Sequence, residues 1–513
     1  MNVLLLSMPD AFEHMPAVAI RMPNGALASL AGNVDAHHRV AVADLILARP
    51  AVRATVERLL DETRPDVVGL SVMTFQRETA LQIAALVKRL RPAARVVAGG
   101  YDPSLATDAY AVSPHVDFVV RGEGEYAFSE LLRGLESGTL PNGIAGLSWR
   151  DGSHFRHNPS RSVIAVESER LRLPDRRARV LSGYTLLGRQ VDVVETSRGC
   201  TYDCSFCSII EMRGRNFHPF PMDRVLADIA DARAHGARSI FLVDDNITLD
   251  VQRFEKLCLA IVDAGLNDIE YFVQAMTSSI ANHGATLAPL MRRAGFRYVF
   301  LGIENIVEGD LAFLRAGAKN ARRERGRTVG NASVEAVDHL HRHGILVVGG
   351  LIVGNPDDTP ESIETNLEFA RRYVDWPYIQ HPTPYPRTPM TKDFRDRDLI
   401  VDEDVSHYDG TTAVVRSDTM SADDIEFMRW RAERWIKLRH FPSAAVRHPG
   451  FVIRHGREML RHTFAGCTFR SFVTQRAERD AFARFKAIRT RERAELRAQF
   501  ADIDTPELTA LSA

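Results

Sequence analysis

Short apolar runs alternate with helical patterns over the first part of the chain. An amphipathic pattern over Glu78–Leu90, for example, separates two of these runs. Short apolar runs bounded by turns are typical of buried strands, and their alternation with helices favours a parallel sheet. We therefore predict an α/β domain of the doubly wound, Rossmann-like type over residues 1–140. Its strands are expected at 3–7, 39–45, 67–72, 95–100 and 118–124.

A second alternating series begins near residue 190. The helical pattern over 222–236 ends at a glycine, the usual C-terminal cap of a helix. Six strand–helix units predict a partial (β/α)6 barrel of the TIM type over residues 189–395, with its site on loops at the carboxyl ends of the strands. The strands are expected at 191–196, 239–245, 269–275, 298–304, 345–354 and 378–383.

Two further regions complete the predicted organisation. Residues 141–188 mix short apolar runs with turns rich in Arg and Asp, and we interpret them as a connector. The strand pattern fades beyond residue 396, so we predict a mainly α-helical C-terminal region over 396–513. Ser421 is placed to cap the first of its helices, because a serine hydroxyl accepts the free amide protons at a helix start.

Composition fits a large folded protein. The chain has 513 residues, 45% of them hydrophobic and 26% charged, which excludes wholesale disorder. The net charge of -1 gives no reason to expect a nucleic-acid partner. The N-terminal residues lack the basic start of an export signal, and no apolar run reaches the roughly 18 residues that a membrane span needs. We expect a cytoplasmic protein with reduced thiols.

Three of the five cysteines lie within eight residues, at Cys200, Cys204 and Cys207. The low, odd number of cysteines argues against a disulfide framework. Compact thiolate spacing suits zinc or an iron–sulfur cluster. Structural zinc needs four protein ligands, and His218 is the nearest candidate for the fourth. Three thiolates on a four-iron cluster instead leave one iron open to a small molecule, which is the interpretation we favour.

This loop, with Phe206 before its last cysteine, resembles the cysteine loop of the radical SAM superfamily. The resemblance covers about residues 190–395. It implies a [4Fe–4S] cluster on the three cysteines, whose open iron binds S-adenosylmethionine (SAM). It also implies that an electron from a flavodoxin- or ferredoxin-type donor cleaves SAM to a 5′-deoxyadenosyl radical.

Several strand-end segments resemble the SAM-binding segments of this family. A carboxylate such as Asp244 suits the methionine amino group, although it could equally cap the next helix. Glu304 lies in a Gly-Ile-Glu-Asn segment and could instead be a salt-bridge partner, whereas Gly354 lies in the adenine-side segment. The residues to which the resemblance gives a SAM contact are Phe206, Asp244, Asp245, Gln274, Glu304 and Gly354.

The first domain resembles the cobalamin-binding domain of cobalamin-dependent radical SAM enzymes. The Asp-x-His-x-x-Gly loop that supplies a cobalt-ligating histidine is absent, since the loop after the first strand runs from Ser7 to His14 without it. His37 and His38 precede the second strand, which is the wrong place. A domain without ligand is the alternative. The residues to which the resemblance gives a cobalamin contact are Ser71, Thr74, Gly99, Gly100, Gly122, Glu123 and Gly124.

Together these resemblances imply a methyltransferase that moves a methyl group from SAM, via methylcobalamin, to an unactivated carbon. The whole chain resembles the hopanoid C-3 methylase group, partly through residues 435–442, which implies a hopanoid lipid substrate and a role in hopanoid biosynthesis. Aromatic residues among arginines in the C-terminal region suit peripheral contact with a membrane, or else a core face beside a solvated one. An oxidative cyclase, a methylase of a peptide or natural product, and a zinc-stabilised binding protein are the alternatives.

Overall fold

The structure is a computed structural model that describes residues 1–11, 16–139, 141–152, 154–161, 170–324 and 327–503. His14, at the end of the loop considered above, lies outside the described residues. In chain order the strands are β1 (Asn2–Ser7), β2 (Ile20–Arg21), β3 (Arg39–Asp44), β4 (Val67–Ser71), β5 (Arg95–Gly99), β6 (Phe118–Val120), β7 (Leu147–Asp151), β8 (His154–His157), β9 (Thr185–Leu186), β10 (Arg189–Val194), β11 (Ser197–Arg198), β12 (His218–Pro219), β13 (Ser239–Leu242), β14 (Glu270–Met276), β15 (Phe296–Glu304), β16 (Ala321–Glu324), β17 (Arg327–Asn331), β18 (Leu346–Ile352) and β19 (Trp376–Gln380).

Helices connect most of these strands, and the last three helices form the C-terminal region. The described α-helices are Gly25–Asn33, Val52–Thr63, Arg77–Leu90, Tyr101–Leu105, Thr107–Ala111, Gly124–Ser137, Ser208–Arg213, Met222–Ala234, Val251–Asp263, Thr277–Ala294, Glu308–Phe313, Gly317–Asn320, Ser333–Arg342, Pro360–Tyr373, Pro389–Asp396, Ala422–Arg447, Pro449–Thr463 and Gln475–Ala498.

The first sheet has the strand order β3-β1-β4-β5-β6-β7-β8, and its first five strands are parallel. Helices Val52–Thr63 and Arg77–Leu90 bury apolar side chains on one face. Helices Gly25–Asn33 and Gly124–Ser137 cover the other face. The predicted doubly wound domain is confirmed, and β7 and β8 from the predicted connector extend its sheet as antiparallel strands.

The second sheet has the strand order β19-β18-β15-β14-β13-β10-β9-β2. The first six strands of this order are parallel, as the prediction of a partial barrel requires. Strand β9 then pairs antiparallel with β10, and β2 pairs antiparallel with β9. Strand β2 comes from the first forty residues of the chain, so the N-terminal part of the chain supplies the edge strand of the second sheet.

The C-terminal helices hold the two sheets together. The Ser421 hydroxyl accepts a hydrogen bond from the Asp424 amide at 3.2 Å, which confirms the predicted cap. Helix Ala422–Arg447 packs on β19 and continues past Pro442. The last helix returns to the first domain, where Leu496 and Phe500 enter the core.

A glycine in the first helix brings that helix against the connector. A Cβ atom on Gly32 would lie 2.0 Å from the Leu173 carbonyl oxygen. No real contact is this short, so any side chain here must push the helix and the connector apart. Gly309, in helix Glu308–Phe313, has no atom within 4 Å of the corresponding position.

We predict that Gly32→Ala lowers the free energy of unfolding by about 2 kcal/mol or more, because overpacking forces the backbone to shift. Gly309→Ala is the matched control and should be neutral or stabilising by up to about 1 kcal/mol. Urea unfolding followed by circular dichroism measures both. Equal stability of the two variants would contradict the close approach at Gly32.

Candidate functional site

The three clustered cysteines lie on a loop between β11 and helix Ser208–Arg213. Gly199, which begins the loop, has a φ of 88°, and a Cβ atom there would lie 2.3 Å from the Asn216 Oδ1 atom. Only glycine fits both conditions. Within the loop the Cys207 amide donates to the Cys204 carbonyl oxygen at 3.1 Å. The chain therefore turns tightly between two of the cysteines.

Two neighbouring carboxylates after β13 accept hydrogen bonds from this loop and from the residues before it. Asp245 Oδ2 accepts a hydrogen bond from the Gly199 amide at 2.7 Å and one from Arg213 at 3.1 Å. Asp244 accepts from the Thr196 amide at 2.6 Å and from the Ser197 hydroxyl at 2.5 Å. Burial raises the pKa of Asp244 to about 6. The observed contacts of both carboxylates are to the loop, and their contact with SAM stays a prediction.

The chemistry of the thiols fits an iron–sulfur cluster. Burial raises the pKa of Cys204 to about 11 and that of Cys207 to about 12, so a bound cation is needed to make them thiolates. Among the described residues, Asp35, His37 and His38 form the one group of three His, Cys, Asp or Glu ligand atoms within 4.8 Å of one another. The three cysteine sulfurs are therefore more widely spread than the about 3.8 Å between ligands that a tetrahedral Zn–S bond of about 2.3 Å requires. A cluster, in which each sulfur binds a different iron, fits this wider spacing.

Glu304 stands beside the cysteine loop in an unusual backbone conformation. Its φ is 58°, in the left-handed region that few residues other than glycine adopt. Gly302 leaves room for its side chain, since a Cβ atom there would lie 2.9 Å from Glu304 Oε1. The same oxygen accepts a hydrogen bond from Lys319 at 2.7 Å. Although burial opposes it, Glu304 raises the pKa of Lys319, which keeps this ammonium group charged.

Lys319 was not found from the sequence. It lies in the four-residue helix Gly317–Asn320 and follows no predicted strand, so no pattern pointed to it. Its Nζ atom is 5.9 Å from the centre of the Phe206 ring. The structure thus brings Phe206, Glu304 and Lys319 together at the cysteine loop.

The other two predicted SAM residues have different surroundings. Gln274 lines the same cavity as Cys207. Gly354 has a φ of 102°, and its amide donates to Asp358 Oδ2 at 2.8 Å. A Cβ atom there would lie 2.8 Å from Ile425, so Gly354 allows helix Ala422–Arg447 to pack closely.

The predicted cobalamin residues lie together at the carboxyl edge of the first sheet. Ser71 and Thr74 line the cavity that Cys207 also lines. The turn after β5 requires Gly100, whose φ is 105° and where a Cβ atom would lie 2.8 Å from the Val72 carbonyl oxygen. Gly99 is the last residue of β5, and the remaining predicted residues follow β6 at this edge: Gly122, Glu123 and Gly124.

His37 and His38 do not lie where a lower ligand for cobalt is expected. His37 and His38 precede β3 and so lie at the amino edge of the sheet, opposite the carboxyl edge. His37 contacts Glu136 at 2.9 Å, and Asp35 pairs with Arg133 at 2.7 Å. These contacts agree with the view that His37 and His38 are in the wrong place.

A buried guanidinium joins the edge of the first sheet to the cysteine loop. Arg198 is 4% exposed and pairs with Glu125 at 2.7 Å, with Glu195 at 2.8 Å and with Glu123 at 3.2 Å. Burial alone would favour a neutral Glu125, but Arg198 and Ser29 hold its pKa down at about 2. Both partners are therefore charged at neutral pH.

One large cavity connects these groups. Its volume is about 2150 Å³, roughly twice the upper end of the usual range of about 300–1,000 Å³ for ligand pockets. It has room for more than one bound molecule. Cys207 and Thr74 lie at its cofactor end. Aromatic side chains line it along the second sheet, at Phe241, Phe272, Phe300 and Tyr378, and the C-terminal helices add Phe441 and Phe464 together with charged side chains such as Arg457 and Glu458.

Comparisons with known proteins agree with this arrangement. Residues 17–132 match the family model of the B12 binding domain, and residues 194–370 match that of the radical SAM superfamily. The chain is 28% identical to an uncharacterized methyltransferase of Pyrococcus horikoshii, over 90% of this chain and 98% of that protein. It is 26% identical to the hopanoid C-3 methylase of Methylococcus capsulatus, over 64% of this chain and 61% of that protein.

A solved structure shares the fold. The radical SAM methyltransferase TsrM from Kitasatospora setae, with cobalamin and a [4Fe-4S] cluster bound, superimposes with a TM-score of 0.61. The match covers 77% of this chain and 78% of TsrM at 20% sequence identity. Together the comparisons confirm the predicted fold class, and the two family models and the named relatives agree with the prediction of three cofactors and of a radical SAM methyltransferase. The hopanoid substrate stays a prediction.

We predict that Cys200→Ala, Cys204→Ala and Cys207→Ala each lose most of the bound iron and all SAM cleavage, because each removes a cluster ligand. Cys258→Ala is the matched control, since Cys258 is 1% exposed within the core of the second domain. Iron and sulfide content and 5′-deoxyadenosine formation are measured after anaerobic reconstitution. Loss of iron from a folded Cys258→Ala protein would contradict the assignment.

A second prediction concerns pH. The pKa of Glu125 in the folded protein, about 2, is below its ordinary value of 4.5. Its ion pair therefore stabilises the fold above pH 4.5, and about 3 kcal/mol of this stability is lost as the pH falls from about 4.5 to about 2. Glu125→Gln should be less stable than the natural protein at neutral pH, with a difference that shrinks toward pH 2. Urea unfolding at a series of pH values measures this, and parallel pH profiles would argue against it.

Proposed function

Because the chain carries a B12-binding domain followed by a radical SAM domain, we propose that it methylates an unactivated carbon of a lipid of the hopanoid type, at C-3. The observation that carries the proposal is the shared cavity. Cys207 from the cysteine loop, Thr74 from the first sheet and an aromatic wall all face it. When bound, the cluster with SAM supplies a radical that abstracts hydrogen, and cobalamin supplies the methyl group.

We assign each cofactor to its own residues in this cavity. Cys200, Cys204 and Cys207 would hold the cluster, and their three thiols leave one iron position for SAM. The proposed SAM contacts are Phe206, Asp244, Asp245, Gln274, Glu304 and Gly354, and the Lys319 ammonium group fixes the Glu304 carboxylate. Asp244 and Asp245 also position the loop, through their hydrogen bonds to Thr196, Ser197 and Gly199.

The first sheet offers the cobalamin contacts. Ser71 and Thr74 line the cavity, and Gly100 lets the backbone turn without a side chain at this edge. Glu123 is held by Arg198, so the edge stays fixed relative to the cysteine loop. This chain's own contribution is thus to orient two cofactors toward one space.

The aromatic walls support a lipid as the substrate. Phe241, Phe272 and Phe300 project from adjacent parallel strands of the second sheet into the cavity, and Tyr378 continues the wall on β19. Such a wall excludes water and gives an apolar molecule a favourable site, because burial of apolar surface drives binding. Peripheral contact between the C-terminal helices and a membrane is the matching proposal for how this molecule is reached. None of the helices in the described part of the chain is long and apolar enough to cross a bilayer.

We predict that the reconstituted enzyme, given SAM labelled in its methyl group and hopanoid lipids in detergent under anaerobic conditions, places the label in a lipid carbon. Extraction and mass spectrometry measure the transfer, and the same protein with Cys204→Ala is the control without a cluster. Formation of 5′-deoxyadenosine with no label in any lipid would overturn the proposed substrate. Label found instead in a peptide or another small molecule would also overturn the proposed substrate, but it would still support a radical SAM methyltransferase.

A further inference from the structure

Exposed apolar side chains are concentrated on the C-terminal helices. Eight of the fourteen exposed large apolar side chains in the described residues lie between positions 435 and 473. Phe469 and Ile453 are 85% and 84% exposed. Scattered apolar side chains on a surface are ordinary, but a concentration of this kind marks an interaction site.

Several of these side chains form one continuous surface together with the half-buried Phe464. Ile453, Leu460 and Phe464 follow one another at helical spacings of seven and four, which places them on one face. The Phe464 ring lies 5.7 Å from that of Phe472, which in turn lies 6.0 Å from Trp435. Phe469 belongs to the same short turn as Phe472. We call this surface the C-terminal stripe: Trp435, Ile453, Leu460, Phe464, Phe469 and Phe472.

The segment that carries the C-terminal stripe also carries exposed arginines that have no acidic partner among the described residues. Glu458 is the single acidic residue between positions 434 and 477. Five exposed arginines of this region form neither an ion pair nor a side-chain hydrogen bond with any residue that the structure describes, whereas Arg439 and Arg454 donate to backbone carbonyl oxygens. The five are Arg447, Arg457, Arg461, Arg470 and Arg476.

We infer that the C-terminal stripe is the docking surface for an anionic lipid bilayer. A surface that combines exposed aromatic side chains with unpaired arginines is suited to lie at the lipid headgroups, where apolar side chains insert and arginines meet lipid phosphates. The inference rests on the proposed lipid substrate and identifies the surface from which that substrate is taken.

The C-terminal stripe also borders the cavity. Leu460 and Phe464 line the cavity and belong to the stripe, and Arg457 lies on the same helix face and lines the cavity too. The cavity therefore extends to the proposed docking surface. A lipid could pass from the bilayer into the aromatic interior without crossing water, which would be costly for an apolar molecule.

The test is sedimentation of the full-length protein with vesicles. Vesicles of equal parts phosphatidylcholine and phosphatidylglycerol are compared with vesicles of phosphatidylcholine alone. We expect binding to the anionic vesicles that weakens as salt is added. The double variant Ile453→Ser/Phe469→Ser should bind at least tenfold more weakly. Arg470→Gln/Arg476→Gln should also weaken binding at least tenfold, since one arginine near an anionic surface contributes about fivefold.

Val401→Ser is the matched control, because Val401 is 53% exposed and lies outside the C-terminal helices. None of the substituted residues lines the cavity, so SAM cleavage should be unchanged in all variants. Absence of binding by the natural protein, or full binding by both double variants, would overturn the inference. Self-association that the double variants abolish, in place of vesicle binding, would assign the surface to a second copy of the chain. Methylation of detergent-dispersed lipid would still support the proposed function in either case.

Discussion

The relation between the two domains depends on the buried charge of Arg198. A guanidinium group removed from water costs several kcal/mol unless carboxylates surround it with good geometry. Arg198 meets this condition with Glu195 from its own segment and with Glu123 and Glu125 from the first domain. Because Arg198 stands two residues before Cys200, movement of the cysteine loop away from the edge of the first sheet would expose these charges to water or leave them without their partners.

The carboxylates after β13 extend this constraint into the loop itself. Asp245 accepts hydrogen bonds from both Gly199 and Arg213, so it ties the start of the loop to the helix that follows it. Arg213 also approaches Glu123 at 3.8 Å. The loop is thus held by charged groups on two sides, and its thiols are left to a cofactor. Such fixed placement of binding groups is what allows cofactors to act on one substrate position.

The regular parts of the fold could be predicted from the sequence, because the spacing of apolar residues and the length of apolar runs are local properties of the chain. The strands of both parallel sheets follow them. Errors arose where a backbone turn or a distant partner decides the structure. The strand expected over 118–124 stops at Val120, since Gly122 has a φ of 77° and helix Gly124–Ser137 begins two residues later.

The site shows the same division between local and distant signals. The cysteine loop could be found because its three ligands are close in sequence. Lys319 could not be found in this way, because its place in the site depends on its hydrogen bond to Glu304. Glu304 lies fifteen residues away, at a strand end that two short helices separate from Lys319. The sequence does not point to Arg198 either, since its partners Glu123 and Glu125 precede it by more than seventy residues. Metal ligands that are close in sequence can be recognised from their spacing, whereas ion pairs between domains cannot.

The open side of the second sheet explains why the C-terminal region is needed. Six parallel strands do not close into a barrel, so β19 at one edge and the aromatic interior would face water. Helix Ala422–Arg447 covers this edge, where Arg429 donates to the Ile379 carbonyl oxygen at 3.2 Å and pairs with Glu433. The final helix then returns to the first domain through Leu496 and Phe500. The same segment that closes the cavity also joins the two domains, so the volume enclosed at the cofactor edges depends on all three regions of the chain.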